Sequence, residues 1–196
     1  MAVHSADFVH KNIRPDTIVV FEGSQKQNVA AYLIGFERSR PSAANTSLTG
    51  DMVWGRNLYR HPSRQGIKPE HVYIMQHDVY SLGVCLLETG IWSPLVVPSG
   101  TPKPGPKLHI EEQIAMKNPL KAAWEIKQLL IDMAQTLLPS LMGLTYTDVV
   151  LSCLTCLDSE KTNMFANEAD LYDEDGILVG VCFIEKILSR LESIAI

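Results

Sequence analysis

Apolar and polar positions fall into short blocks along this chain, and the spacing inside each block predicts the element it forms. Thr17-Ile18-Val19-Val20-Phe21 is a β-rich run closed by Glu22-Gly23-Ser24, and Val29-Ala30-Ala31-Tyr32-Leu33-Ile34 is a second run that ends at Gly35. Seven turn-like residues separate them, which predicts a β-hairpin. Ahead of it, residues 1–9 carry apolar Val3, Ala6, Phe8 and Val9 with no N-cap and no full helical period, the pattern of a helix tail whose body is missing. From 37 to 58 the composition turns to Arg, Ser, Pro, Ala, Asn, Thr and Gly, without apolar periodicity until Met52-Val53-Trp54. That predicts a long exposed loop, a kind of segment that is usually functional or disordered.

Residues 79–88 are apolar nearly all round the helical wheel, the mark of a helix buried at the centre of a domain. Asp78 is placed to be its N-cap or a first-turn residue. Residues 98–108, with Pro98, Pro102, Pro104 and Pro106 beside Gly100 and Gly105, read as a turn-rich exposed linker. The two glycines have phosphate-loop spacing, but Pro106 stands where the lysine belongs and no strand precedes. Ile110 and Ile114, then Ala123, Ile126, Leu129, Leu130, Met133 and Leu137, recur at helical spacing. They predict two helices divided near Asn118-Pro119, the proline fitting a first helical position. Leu138-Pro139 is expected to break the pattern, Thr147-Asp148 to cap a helix over 149–157, and an acidic turn over 170–176 to precede a last amphipathic helix over 183–194. The fold class is mainly α (α+β), in one domain over 1–196.

Composition narrows the function. With 46% hydrophobic and 20% charged residues in 196, the chain buries a real core. Its 22 acidic and 17 basic residues give −5, with no Lys/Arg run of the length that nucleic acid or an anionic membrane requires, so neither is an expected partner. Cys85, Cys153, Cys156 and Cys182 sit in apolar stretches, which points to free thiols in a reducing compartment. Cys153 and Cys156 match C-x-x-C, yet lack two further ligands for zinc and a preceding strand for redox work. The acidic turn fails as a calcium loop at both ends, Leu171 at the first ligand place and Cys182 at the last. No run of 18 apolar residues and no signal peptide is present, so a cytoplasmic location is expected.

The order of elements resembles the C-terminal lobe of a eukaryotic protein kinase, and four motifs carry the resemblance in sequence order. His10-Lys11-Asn12-Ile13-Arg14-Pro15-Asp16-Thr17 stands where that family has H-R-D-L-K-P-E-N, and Ile34-Gly35-Phe36-Glu37 occupies the place of x-D-F-G. Tyr59-Arg60-His61-Pro62-Ser63 is similar to the Y-R-A-P-E that closes the activation loop. His77-Asp78-Val79-Tyr80-Ser81-Leu82-Gly83-Val84 is similar to the start of the central helix, s-D-v-w-S-l-G-v. Residues 138–157 resemble, more narrowly, the kinase-like domains of filamentous fungi, which often follow a HeLo-type or prion-inhibition domain.

The resemblance implies degraded chemistry, because phosphoryl transfer needs a carboxylate to orient the hydroxyl and two Mg²⁺ ligands. Asn12 replaces the catalytic Asp, Thr17 replaces the Asn that binds one metal, and Gly35 replaces the Asp that binds the other. Arg14 stands for the loop lysine and keeps its charge. No G-x-G occurs, and the chain opens just before this loop, so the N-lobe with its nucleotide pocket has no counterpart. Neither ATP nor Mg²⁺ is expected to bind, no metal site is implied, and catalysis is not expected.

What persists is architecture. His10 and Asp78 are expected to hold the loop against the central helix by hydrogen bonds, and Phe36 to be core. Lys11, at the place of the arginine that pairs with a phosphorylated loop, could meet a phosphate on Thr46, Ser47 or Thr49. The helix body absent before residue 8 is expected to leave Leu82, Val84, Leu86 or Leu87 partly bare, so that a protein partner or self-association covers them. The leading expectation is a pseudokinase lobe acting as a protein-interaction or regulatory module. The alternatives are an atypical phosphotransferase half completed by an N-lobe from another chain, and a truncated gene product without function.

Overall fold

The structure, a computed structural model, describes residues 8–22, 29–41, 51–66, 69, 71–97, 100–158 and 180–194. Residues 1–7, the candidate phosphosites Thr46, Ser47 and Thr49, and the acidic turn over 170–176 lie outside them. The described chain is mainly helical with three small antiparallel two-stranded sheets.

The predicted hairpin forms: β2 (Ile18–Glu22) pairs with β3 (Val29–Leu33) in a register running from Ile18 opposite Leu33 to Glu22 opposite Val29. Thr17 belongs instead to a short 3₁₀ turn, Pro15–Thr17, that leads into β2. The expected helix tail is a strand. β1 (Phe8–Val9) pairs with β4 (Arg40–Pro41), and its exposure alternates, Phe8 outward and Val9 fully buried, with the period of two that a strand imposes. The predicted long loop is therefore tied at its start, and at its far end it carries α1 (Trp54–Asn57).

The central helix is α2 (Met75–Gly90), buried on nearly every side, with Asp78 in its first turn. It packs on α4 (Pro119–Leu154), where Leu130, Ala134, Leu138, Val149 and Val150 build the facing core. The helices approach closely at Gly83, where a Cβ would stand 2.6 Å from the Cβ of Cys153. Of the four residues expected to be partly bare on this helix, Val84 and Leu87 are fully buried and Leu82 and Leu86 are partly exposed.

Two helices do divide near Asn118-Pro119: α3 (Glu111–Ile114) ends before α4 begins, and the Asn118 side chain accepts from the Leu120 and Lys121 amides at 3.1 Å each. The break expected at Pro139 falls at Gly143, whose φ of 81° and ψ of 170° are open to glycine. Leu130, Ala134 and Leu138, one stripe with no exposed surface, hold the helix on α2 straight through the proline. The second half of α4 thus starts before 149, with Thr147 inside it, its hydroxyl donating to the Gly143 carbonyl at 2.8 Å. Within 98–108, Lys103–Pro104 (β6) pairs with Val96–Val97 (β5), and Gly105 and Leu108 are buried, so this stretch is a small sheet anchored to the core rather than a free linker.

The last helix, α5 (Gly180–Glu192), lies against α4 and buries Ile187. By length and composition α4 is the one described helix able to cross a bilayer, and 44% of its most apolar window is buried inside the domain.

Candidate functional site

Residues 10–17 lie across the first turn of α2, and one carboxylate holds them there. Asp78, with no exposed surface, accepts from the His10 amide at 2.6 Å, the Lys11 amide at 2.9 Å and the Tyr73 hydroxyl at 2.6 Å. The clasp expected between His10 and Asp78 therefore works through the His10 backbone. Lys11 takes the left-handed region at φ 68°, a cost of about 1 kcal/mol for a residue with a Cβ. The paired amide bonds to Asp78 offset it. Burial and the Asp78 charge beside it push the Tyr73 phenol well above its usual range, keeping it a donor.

The His10 ring is fully buried and meets the Phe36 ring edge to face at 4.7 Å. Phe36 itself is 47% exposed, so it caps this ring and is not core, contrary to expectation. Glu37 is exposed in the short turn Phe36–Arg38.

Asn12, Thr17 and Gly35 do come together. Gly35, at φ 88°, lies so close that a Cβ there would be 3.0 Å from Thr17 Cγ2 and 3.2 Å from Asn12 Nδ2. Thr17 is buried and its hydroxyl is turned inward, 2.8 Å from both the Asn12 and the Arg14 carbonyls, while its own carbonyl accepts from the Ile34 amide at 2.8 Å. An amide, an inward hydroxyl and a glycine thus meet at this point. Arg14 is paired with Asp16 at 3.4 Å, a carboxylate that is 72% exposed. The pocket ringed by Lys11, Asn12, Arg14, Arg60 and Ser81 has a volume of ≈ 10 Å³, the room of about one water. Among the described residues no three His, Cys, Asp or Glu side chains converge as a metal site would need.

Around the loop the field is positive. Burial, then the charges of Arg40, Arg64 and Arg38, press the Lys11 pKa down, against the pull of Asp78. Lys11 Nζ and the Arg64 guanidinium stand over the Tyr73 ring at 5.8 and 5.4 Å.

A second polar network escaped the sequence reading. Lys127, 3% exposed, is ion-paired with Asp158 and reaches His61 Nε2 at 3.4 Å. Ser63 Oγ sits between two imidazoles, 2.8 Å from His61 Nδ1 and 3.3 Å from His77 Nε2. Burial, reinforced by Lys127 and His77, pushes the His61 pKa down to about 2, and burial takes His77 down to about 4. Its signal was Lys127 itself, a charge four residues from Ala123 and three from Leu130 on the buried stripe of α4. Cys85, Cys153 and Cys156 are free and buried, and burial raises all three thiols, Cys153 to about 12, which leaves them unreactive packing groups.

Comparison with protein-family models, with curated proteins and with solved structures found no match. The class is therefore defined by fold and site: a mainly helical α+β domain whose polar loop is clasped to a buried central helix.

Proposed function

We propose that this chain is a protein kinase-like C-terminal lobe without phosphoryl-transfer chemistry, acting in the cytoplasm as a protein-interaction or regulatory module in a fungal signalling or incompatibility setting. The order of the four motifs and the Asp78 clasp support the kinase-like assignment. Asn12, Thr17 and Gly35, together where ligands and base would stand, support the loss of activity.

The observation that carries the interaction role is the β2–β3 hairpin. Its register places Ile18 and Val20 with Ala31 and Leu33 on one face, and Val19 and Phe21 with Ala30 and Tyr32 on the other. Val20 is 57% exposed, Phe21 59% and Tyr32 55%, so both faces show apolar side chains to water. Strands apolar on both faces are composed for burial between two layers. A lone two-stranded hairpin is marginal in water. A partner polypeptide or a second copy laid over it supplies the cover.

Two measurements test this. Thermal unfolding with ATP, with and without Mg²⁺, is expected to show no shift, and a clear ATP-dependent shift would replace this reading with a phosphotransferase half. In light scattering the wild type is expected to self-associate or to bind a hydrophobic dye, and Phe21→Ser with Tyr32→Ser to abolish both. A wild-type monomer that ignores the dye counts against an interaction module.

A further inference from the structure

A cavity of ≈ 450 Å³ lies away from the clasped loop, between α1, α3 and the start of α4. That is within the range of pockets that enclose a small organic ligand. Its walls are mainly apolar, with Trp54, Leu58, Ile114, Pro119, Ala123 and Ile126 drawn from three separate elements, and Asn57 and Gln113 among them.

The polar groups at its edge define what would fit. Asp51, the one charged residue in the lining, is already held by the Val53 amide at 3.0 Å, by Arg56 at 3.3 Å and by Arg60 at 3.7 Å. Its charge is therefore compensated, and the cavity offers no counter-ion to a charged guest, which disfavours taking a bare charge into it. Four side-chain amides line it: Asn57 is engaged at both ends, by the Asp51 carbonyl and by Arg60, Gln113 adds a second amide beside Ile114, and Gln65 and Asn118 are half used. Gln65 donates its Nε2 to the Arg60 carbonyl at 2.7 Å, which leaves its oxygen as an acceptor. Asn118 spends its oxygen on the first turn of α4, which leaves its nitrogen as a donor. A mainly apolar vault with neutral side-chain amides at the rim matches a hydrocarbon body with a neutral polar end.

We propose that this cavity is a binding site for an uncharged, largely hydrocarbon small molecule bearing an amide or hydroxyl group. The body displaces water from the Trp54–Ile126 walls, and the polar end pairs with Gln65 and Asn118. The site is separate from the hairpin, so it stands or falls independently of the interaction role.

The test is isothermal titration of the whole chain with octanamide, 1-octanol and octanoate, which share one hydrocarbon length and differ in the end group. Octanamide and octanol are expected to bind, and octanoate at least about tenfold more weakly. Ile114→Ser and Leu120→Ser change lining residues that are 39% and 38% exposed, so the fold is retained. Each is expected to weaken octanamide binding by roughly fivefold to tenfold, the effect of losing a few buried methylenes. Phe21→Ser on the hairpin is expected to leave it unchanged. Equal binding of octanoate, binding indifferent to both lining variants, or no binding of any of the three overturns the proposal.

Discussion

Gly35 adopts a left-handed backbone at φ 88° with Thr17 Cγ2 only 3.0 Å from the place a Cβ would take. The position does not readily take a carboxylate. Gly35→Asp adds left-handed strain and a contact that Thr17, locked by its inward hydroxyl, cannot relieve. The variant is expected to lose about 1–3 kcal/mol of stability in urea unfolding and to gain no Mg²⁺-dependent stabilisation. Unchanged stability with a Mg²⁺ response would show that the site still accepts a metal ligand. At this scale the sequence was a good guide to identity and a poor one to geometry. The residue types at 12, 17 and 35 were readable, but that His10 serves Asp78 through its amide, and that Phe36 caps the His10 ring from the surface, depended on backbone paths no spacing rule encodes.

Three elements meet at the His61, Ser63 and His77 network: the 3₁₀ turn Pro62–Arg64, the first turn of α2, and α4 through Lys127. Both imidazoles are held neutral, with folded pKa values of about 2 and about 4 against an ordinary 6.5. Because the folded values lie below the unfolded one, their contribution is fully present above pH 6.5 and is lost as pH falls toward 4. Each imidazole then makes unfolding take up a proton, a slope of about 1.4 kcal/mol per pH unit apiece in that window. Urea midpoints measured between pH 7 and pH 4 should fall steeply, and His61→Gln should flatten the curve. A flat wild-type profile above pH 4.5 would mean that neither ring is buried neutral. This network joins residues 66 positions apart, His61 and Lys127, so pattern reading could flag only the misplaced charge. Local signals fared better where one element decides the outcome. The hairpin, the all-round apolar α2 and the Asn118-Pro119 start were legible from period and capping. The Pro139 break was not, because a buried stripe on α2 outweighed a single missing N–H, and β1 was not, because a two-residue strand has no period to detect.

Over the whole molecule the −5 charge is unevenly spread: Lys11 shares its surroundings with Arg38, Arg40 and Arg64. The acid at their centre, Asp78, is already engaged by the His10 and Lys11 amides and the Tyr73 hydroxyl. Bringing cations together costs energy unless an anion joins them, and a phosphate does so with charge-assisted hydrogen bonds. Thr46, Ser47 and Thr49 follow β4 closely; Thr46 is six residues beyond Arg40, at most about 20 Å of extended chain, so covalent reach permits a phosphate on any of them to arrive. A free anion should reveal the same affinity. At matched ionic strength, phosphothreonine is expected to raise the unfolding free energy over chloride, by about 1.4 kcal/mol at ten times its Kd. The increment should shrink with added salt, since Lys11 and its neighbours are partly open to solvent, and should disappear in Lys11→Gln. Phosphothreonine no more effective than chloride, or an increment indifferent to Lys11→Gln, would leave the cluster as a solvated basic face with no phosphate to read.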